Sequence, residues 1–153
     1  MGEITYRQGT LQDVDFLVEN RLAFIGVTPD EREYPLIKGN TFLYFHNGLT
    51  KRECQVLLAE SEGEIVGVGV IFYYNSVPNK QNPWGKNAYI TSMNVAESYR
   101  RQGIGSRILE GLMALAKEKG YSVIMLQATE MGKPLYEKYG FEKGYTRMVY
   151  REE

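Results

Sequence analysis

A mixed α/β domain with elements in the order β-α-α-β-β-β-α-β-α-β is predicted by three observations. Apolar or alternating runs such as "CQVLLAE", "IVGVGVIFYYN" and "YSVIMLQAT" have strand length and strand composition. Stretches with helical periodicity, each opened by a capping signal or closed by a glycine, separate several of them. No linker, repeat or low-complexity segment interrupts the series, so the 153 residues are expected to form one domain, 1–153, long enough to bury a core.

"EITYRQ" alternates as a short first strand. Thr10, with Asp13 three residues on, forms a capping box that opens a helix through Ile25, whose stripe Leu11, Val14, Leu17, Val18, Leu22 and Ile25 faces a core. In "TPDE", Thr28 reads as a second N-cap with Pro29 at the first helical position and Glu31 three after the cap. Pro35 and Gly39 are expected to break that second helical region into two pieces ending by Gly48, where His46 would cap the carbonyl end. "CQVLLAE", the turn "SEGE" and "IVGVGVIFYYN" make a hairpin, and Cys54 reads as a packed thiol. After a loop with Pro78, Pro83 and Gly85 come the strand "AYITSMNV", a helix from about Ser106 to Lys119 stopped by Gly120, and the buried strand "YSVIMLQAT". "KPLYEKY" is a short helix closed by Gly140, and "FEKGYTRMVYR" supplies the last strand or hairpin.

Lys plus Arg number 18 against 19 Asp plus Glu, so no global field draws the chain to nucleic acid or an acidic membrane. The N-terminal "MGEITYRQGT" lacks the apolar core of a signal peptide, and no apolar run has membrane-spanning length, which predicts a cytoplasmic protein without membrane contact. One cysteine and one histidine make disulfides, a Cys/His metal site and a Ser-His-Asp triad unsuitable, and no metal is expected.

"VAESYRRQGIGSRIL" stands out, because it gathers two arginines, a glutamine and two glycines at a strand-to-helix turn. Gly103 and Gly105 let the backbone approach a partner, the first-turn N–H groups lack intrahelical acceptors, and Arg100 and Arg101 add charge. Such a turn suits a phosphate or pyrophosphate. Gly-rich turns are also common where nothing binds. The P-loop pattern fails because Ser106 and Arg107 follow Gly105, and the dinucleotide fingerprint fails because Ile108 stands at its third glycine.

Two blocks together resemble the GNAT superfamily of N-acetyltransferases: Arg100-Arg101-Gln102-Gly103-Ile104-Gly105, and "LYEKYGFEK" about thirty residues later. The likeness covers nearly the whole chain and implies that family's mixed central sheet flanked by helices. It also implies acetyl-CoA as cosubstrate, with its pyrophosphate on the backbone N–H groups of Gln102, Gly103, Ile104, Gly105 and Ser106. Met93 and Val95 would occupy the bulged strand along which pantetheine lies, one of their N–H groups polarising the thioester carbonyl. Tyr136 matches the family's proton donor to the departing thiolate, and Tyr139 is its nearby competitor, read as a packing residue. Thr129 replaces an asparagine that many members direct at the cofactor. The bulged strand has no acid, which leaves Glu130, Glu33 or a water relay for the base. The resemblance draws the acceptor surface from the first two helices and the loop before the bulged strand, where Arg21, Phe24, Glu33 and Tyr73 are the substrate-binding candidates. An aromatic cleft with a few acids suits a small primary amine, whereas Arg21 could bind a carboxylate and favour an amino-acid-like acceptor. A protein N-terminus or lysine as acceptor, a non-catalytic acyl-CoA-binding module and a partner-binding domain with an empty turn are the alternatives, and a homodimer is left open.

Overall fold

The computed structural model describes residues 2–144 and 147–152. β1 (Thr5–Gln8), β2 (Cys54–Ser61), β3 (Glu64–Asn75), β4 (Lys86–Val95) and β5 (Val123–Leu126) form one sheet in the order β1-β2-β3-β4-β5. The first four are antiparallel and β5 joins β4 in parallel. A parallel neighbour needs a crossover, which α3 (Ile104–Glu118) provides. α1 (Val14–Ile25) and α2 (Tyr34–Lys51) cover one face, and α3 with α4 (Lys133–Lys138) covers the other.

The two faces follow from strand alternation. Val56, Leu58, Val68 and Val70 pack with Leu17, Val18, Leu22 and Phe45 from α1 and α2. Ala59, Ile71, Ala88 and Ile90 pack with Ile104, Ile108, Leu109 and Leu112 of α3. α3 lies close on β3 because Gly69 has no side chain: a Cβ there would come 2.4 Å from Ile108 Cγ2. The β2–β3 turn is Glu62-Gly63, both with positive φ, as a two-residue hairpin of this hand requires. Cys54 is buried, and that burial pushes its thiol up to about 11, in keeping with a packed thiol.

The Thr10/Asp13 capping box forms, opening one 3-10 turn that runs into α1, which ends at the left-handed Gly26. Leu11 and Ile25, at the two ends of the expected stripe, stay exposed. "TPDE" is a turn, not a helix start, because the Thr28 hydroxyl bonds the Asp30 carboxylate and no cap bond reaches the backbone. α2 is one unbroken helix. Pro35 falls in its first turn, where its missing N–H is harmless, and Gly39 faces open space. His46 is consequently inside α2, its ring stacked on Phe42 at 5.7 Å, and does not cap it. Of the expected last strand, 141–144 and 147–151 form no strand, and 145–146 lie outside the described residues. Met148, Val149 and Tyr150 remain exposed. Among the described residues no helix is long and apolar enough to cross a membrane.

Candidate active site

The glycine turn links β4 to α3. After one 3-10 turn at Glu97–Tyr99, the Arg100 Nε donates to the Val95 carbonyl at 3.0 Å, folding the chain back on the strand end. Arg101 and Gly103 both take left-handed φ values, 64° and 81°. α3 then starts at Ile104, two residues before the expected Ser106, and its first bond runs from Arg107 N–H to the Gly103 carbonyl at 3.1 Å. Ile104 is buried in the core and pins this end of the helix. The N–H groups of Ile104, Gly105 and Ser106 thereby lie in the first turn, without intrahelical acceptors, at the positive end of the helix dipole. A Cβ on Gly103 or Gly105 would meet nothing within 4 Å. Gly103 is explained by its φ. Gly105 answers no internal packing need, and leaves the backbone bare toward solvent where an anion could approach.

β4 carries a bulge beside that turn. Val68 pairs with Asn94 and Val70 with Thr91, so the single residue Gly69 faces two, Ser92 and Met93. Ser92 holds a φ of 54°, unusual for a residue with a side chain. α1 braces the bulge: Asn20 and Asn94 exchange two amide hydrogen bonds of 3.0 Å, and Arg21 Nη1 donates to Ser92 Oγ at 3.0 Å. Met93 and Val95 pack toward the α3 face. On its other edge β4 pairs with β5 only from Asn87↔Val123 to Ile90↔Leu126. Thr91–Val95 therefore has no strand partner on the β5 side among the described residues, because β5 itself ends at Leu126.

Tyr136 stands beside the end of β5. With Leu126 and Ala128 at the end of β5, and with Met113 and Phe141, it lines a cavity of about 790 Å³. Its ring meets Phe141 edge to face at 6.0 Å, and passes close to Gly132, where a Cβ would be 3.1 Å from it. Burial pushes the Tyr136 phenol above its ordinary range. The Tyr139 hydroxyl donates to Glu110 of α3, which ties α4 down and gives Tyr139 the packing role expected of it. The Thr129 hydroxyl accepts from Gly132 N–H at 3.1 Å and closes the turn into α4. Glu130 also lines the Tyr136 cavity.

A second cavity, of about 460 Å³, opens between α2 and the bulge, walled by Ile37, Tyr44, Phe45, Phe72, Thr91 and Ser92. Arg21 lines it, as the sequence suggests. Three other candidates lie outside its walls. Phe24 is 47% exposed and stacks under the Arg21 guanidinium at 5.8 Å. Glu33 is exposed at the entry to α2. Tyr73 is a correction: strand alternation sends it to the α3 face, where it packs on Tyr121 at 4.6 Å and bonds Gln55. Its neighbour Phe72 is the one that reaches the cavity. The residues that sequence reasoning missed here are Ile37, Thr41, Tyr44 and Phe45 of α2, with Phe72, Thr91 and Ser92. On α2 the signal was present in the spacings of four between Ile37, Thr41 and Phe45 and between Leu36, Asn40 and Tyr44, visible once the helix is read as continuous. Among the described residues no group of three His, Cys, Asp or Glu could hold a metal.

The structure thus brings together a bare helix start, a bulged strand that runs past its parallel neighbour and a half-buried tyrosine beyond that neighbour's end. The model of the Acetyltransferase (GNAT) family matches residues 19–141. An N-alpha-acetyltransferase of Sulfurisphaera tokodaii is 31% identical over 148 residues, covering 92% of this chain and 81% of that one. A thialysine N-epsilon-acetyltransferase of Mus musculus is 32% identical over 84 residues, covering 54% of this chain and 46% of that one. The crystal structure of a predicted acetyltransferase with acetyl-CoA from Clostridium acetobutylicum superposes with a TM-score of 0.88 at 27% identity, covering 97% of this chain and 96% of that one. The chain belongs to the GNAT acetyltransferase family. It is an N-acetyltransferase, and acetyl-CoA is its cosubstrate.

Proposed function

We propose that this single domain transfers acetyl directly from acetyl-CoA to the primary amine of a small molecule, with Tyr136 as general acid. One observation carries the reading: β4 runs on past its last pairing with β5 toward the bare first turn of α3, and Tyr136 sits half-buried beyond the end of β5. The residues fit the cosubstrate. The N–H groups from Gln102 to Ser106 hold the pyrophosphate, and Arg100 and Arg101 add charge at its rim. Gly105 gives the room, since no protein atom lies where its Cβ would be. The unpaired edge of β4 at Met93 and Val95 offers main-chain groups to the pantetheine arm, and a bulge N–H polarises the thioester carbonyl. Acetyl-CoA supplies the activated acyl group.

Tyr136 gives its proton to the departing sulfur, and its raised pKa keeps that proton in place through neutral pH. Among the described residues no carboxylate lines the cavity beside the bulge, and water is the proposed acceptor of the ammonium proton before attack. Glu33 is outside that cavity, and Glu130 lines the Tyr136 cavity instead. The relative named N-alpha-acetyltransferase favours a second reading, in which the α-amine of a polypeptide is the acceptor. Thiol release from acetyl-CoA, measured against small amines and short peptides, tests both. Turnover with small amines supports the first reading, turnover with peptides alone the second, and acetyl-CoA binding without any thiol release would leave only a binding module.

A further inference from the structure

The cavity beside the bulge has one formal charge in its lining, the Arg21 guanidinium. The ion pairs among the described residues join Arg7 to Asp13 and Glu60, and Lys38 to Glu19, so Arg21 has no carboxylate partner. Its Nη1 is held by Ser92 Oγ at 3.0 Å and its plane by the Phe24 ring at 5.8 Å, leaving further N–H donors in a fixed orientation. The half-buried Arg21 faces walls of Ile37, Tyr44, Phe45 and Phe72, and the natural complement of its guanidinium is a planar anion that can accept two bonds. The same lining repels a polyamine or an aminoglycoside, because it offers a cation and no acid.

Position narrows the class further. Arg21 bonds Ser92, and Ser92 is itself a bulge residue, so a carboxylate on Arg21 lies close to the strand segment along which transfer is proposed. An α-amino acid, whose amine is two bonds from the carboxylate carbon, is the acceptor that keeps its amine beside that segment while its carboxylate sits on Arg21. The remaining volume, about 460 Å³ with aliphatic and aromatic walls, suits an apolar side chain. We infer that the acceptor is a free α-amino acid with an apolar or aromatic side chain, its carboxylate anchored by Arg21 beside the β4 bulge. This rests on the acetyl-transfer reading above. In the step, the α-nitrogen forms the amide bond to the acetyl carbon as the C–S bond breaks. The nitrogen has already given one ammonium proton to water and gives a second to water on amide formation, while the thiolate takes a proton from Tyr136 and water returns one to the phenolate, so that one proton in all is released. N-acetyl amino acid and free CoA leave.

The test compares L-phenylalanine with phenethylamine, which lacks only the carboxylate, with L-phenylalaninamide, which masks it, and with putrescine. Thiol release is followed for the wild type, Arg21→Gln and Arg21→Lys, and acetyl-CoA affinity is measured calorimetrically in each. Phenylalanine is expected to exceed phenethylamine and the amide in kcat/KM by roughly 10- to 150-fold, the equivalent of one charge-assisted hydrogen bond. In Arg21→Gln that ratio should collapse toward one through KM, with Arg21→Lys intermediate; because Arg21 also braces Ser92, acetyl-CoA affinity in each variant corrects for any change at the bulge, and the ratio between substrates is the readout. Equal or better turnover of the amide or of phenethylamine by the wild type would overturn the inference, as would acetyl-CoA binding with no turnover of phenylalanine. Failure of the wild type to bind acetyl-CoA would instead strike the reading beneath it. In that event calorimetric binding of N-acetyl-L-phenylalanine, lost in Arg21→Gln, still supports the carboxylate anchor, and no binding overturns it.

Discussion

Gly105→Ala should make the protein more stable and a poorer binder at once. Gly105 is helical, its φ is not in the left-handed region, and the new Cβ meets no protein atom within 4 Å. Replacing glycine in a helix by alanine gains up to about 1 kcal/mol, and rather less in the first turn. For a chain of this length that raises Tm by roughly 1–4 °C without ligand. The methyl group stands where the phosphate is proposed to meet the backbone. Loss of one charge-assisted bond there weakens acetyl-CoA by about 10- to 150-fold. Wild type at a ligand concentration of about 100 Kd gains roughly 2.7 kcal/mol from binding, and a variant weakened about 100-fold gains only about 0.4 kcal/mol at the same concentration. Thermal melts with and without acetyl-CoA should therefore cross, the variant higher when free and lower when loaded. Gly69→Ala is the contrast, because its Cβ would come 2.4 Å from Ile108 Cγ2 and should cost about 1–3 kcal/mol. A Gly105→Ala protein that keeps the full ligand-induced shift would refute the placement of the pyrophosphate, and one that melts lower when free would refute the open-space argument.

The two arginines of the turn should respond differently to salt. Arg101→Ala should weaken acetyl-CoA more at low ionic strength than at high, as an exposed charge does, whereas Arg100→Ala should keep a salt-independent loss, because its Nε also holds the Val95 carbonyl. Isothermal titration at two salt concentrations separates them, and identical salt slopes would contradict the division. At the other end of the sheet, the Arg7 fork on Asp13 holds that carboxylate below its ordinary range. A depressed pKa gives stability that is present above the ordinary Asp value near 4 and lost as pH falls through the lowered one. Asp13→Asn should cost about 1–2 kcal/mol in urea denaturation at pH 7, through the lost cap and ion pair, and progressively less toward pH 2. A pH-independent difference would assign the loss to packing.

The glycine turn, the α3 stripe and the β2–β3 hairpin were legible because each rests on local rules: a left-handed glycine, a 3.6-residue period, a two-residue turn. Reading α2 as broken failed on position, since a proline in the first turn and an outward glycine do not interrupt a helix held by Ile37 and Phe45 from below. That misreading also hid the cavity wall, because Tyr44 and Phe45 belong to the misread helix. Tyr73 was assigned the wrong side because "IVGVGVIFYYN" is apolar on both faces, and alternation in such a run has no polar partner to fix its phase. The bulge at Ser92 and the loss of β5 as a partner after Ile90 depend on pairing between distant strands, which a linear pattern does not record.

The central claim is that the pyrophosphate turn and the proton donor are separate parts of one transfer site. Tyr136→Phe tests it most directly, because the ring and its packing on Phe141 remain while the phenolic proton is removed. With an amine that the wild type turns over, kcat should fall by roughly 10²–10⁴ while acetyl-CoA Kd stays the same. The wild type should show an alkaline limb above the ordinary phenol range, because burial raises the Tyr136 phenol, and in the variant that limb should disappear or move. Near-full kcat in Tyr136→Phe, with the limb in place, would contradict the account and pass the proton to water or to Tyr139.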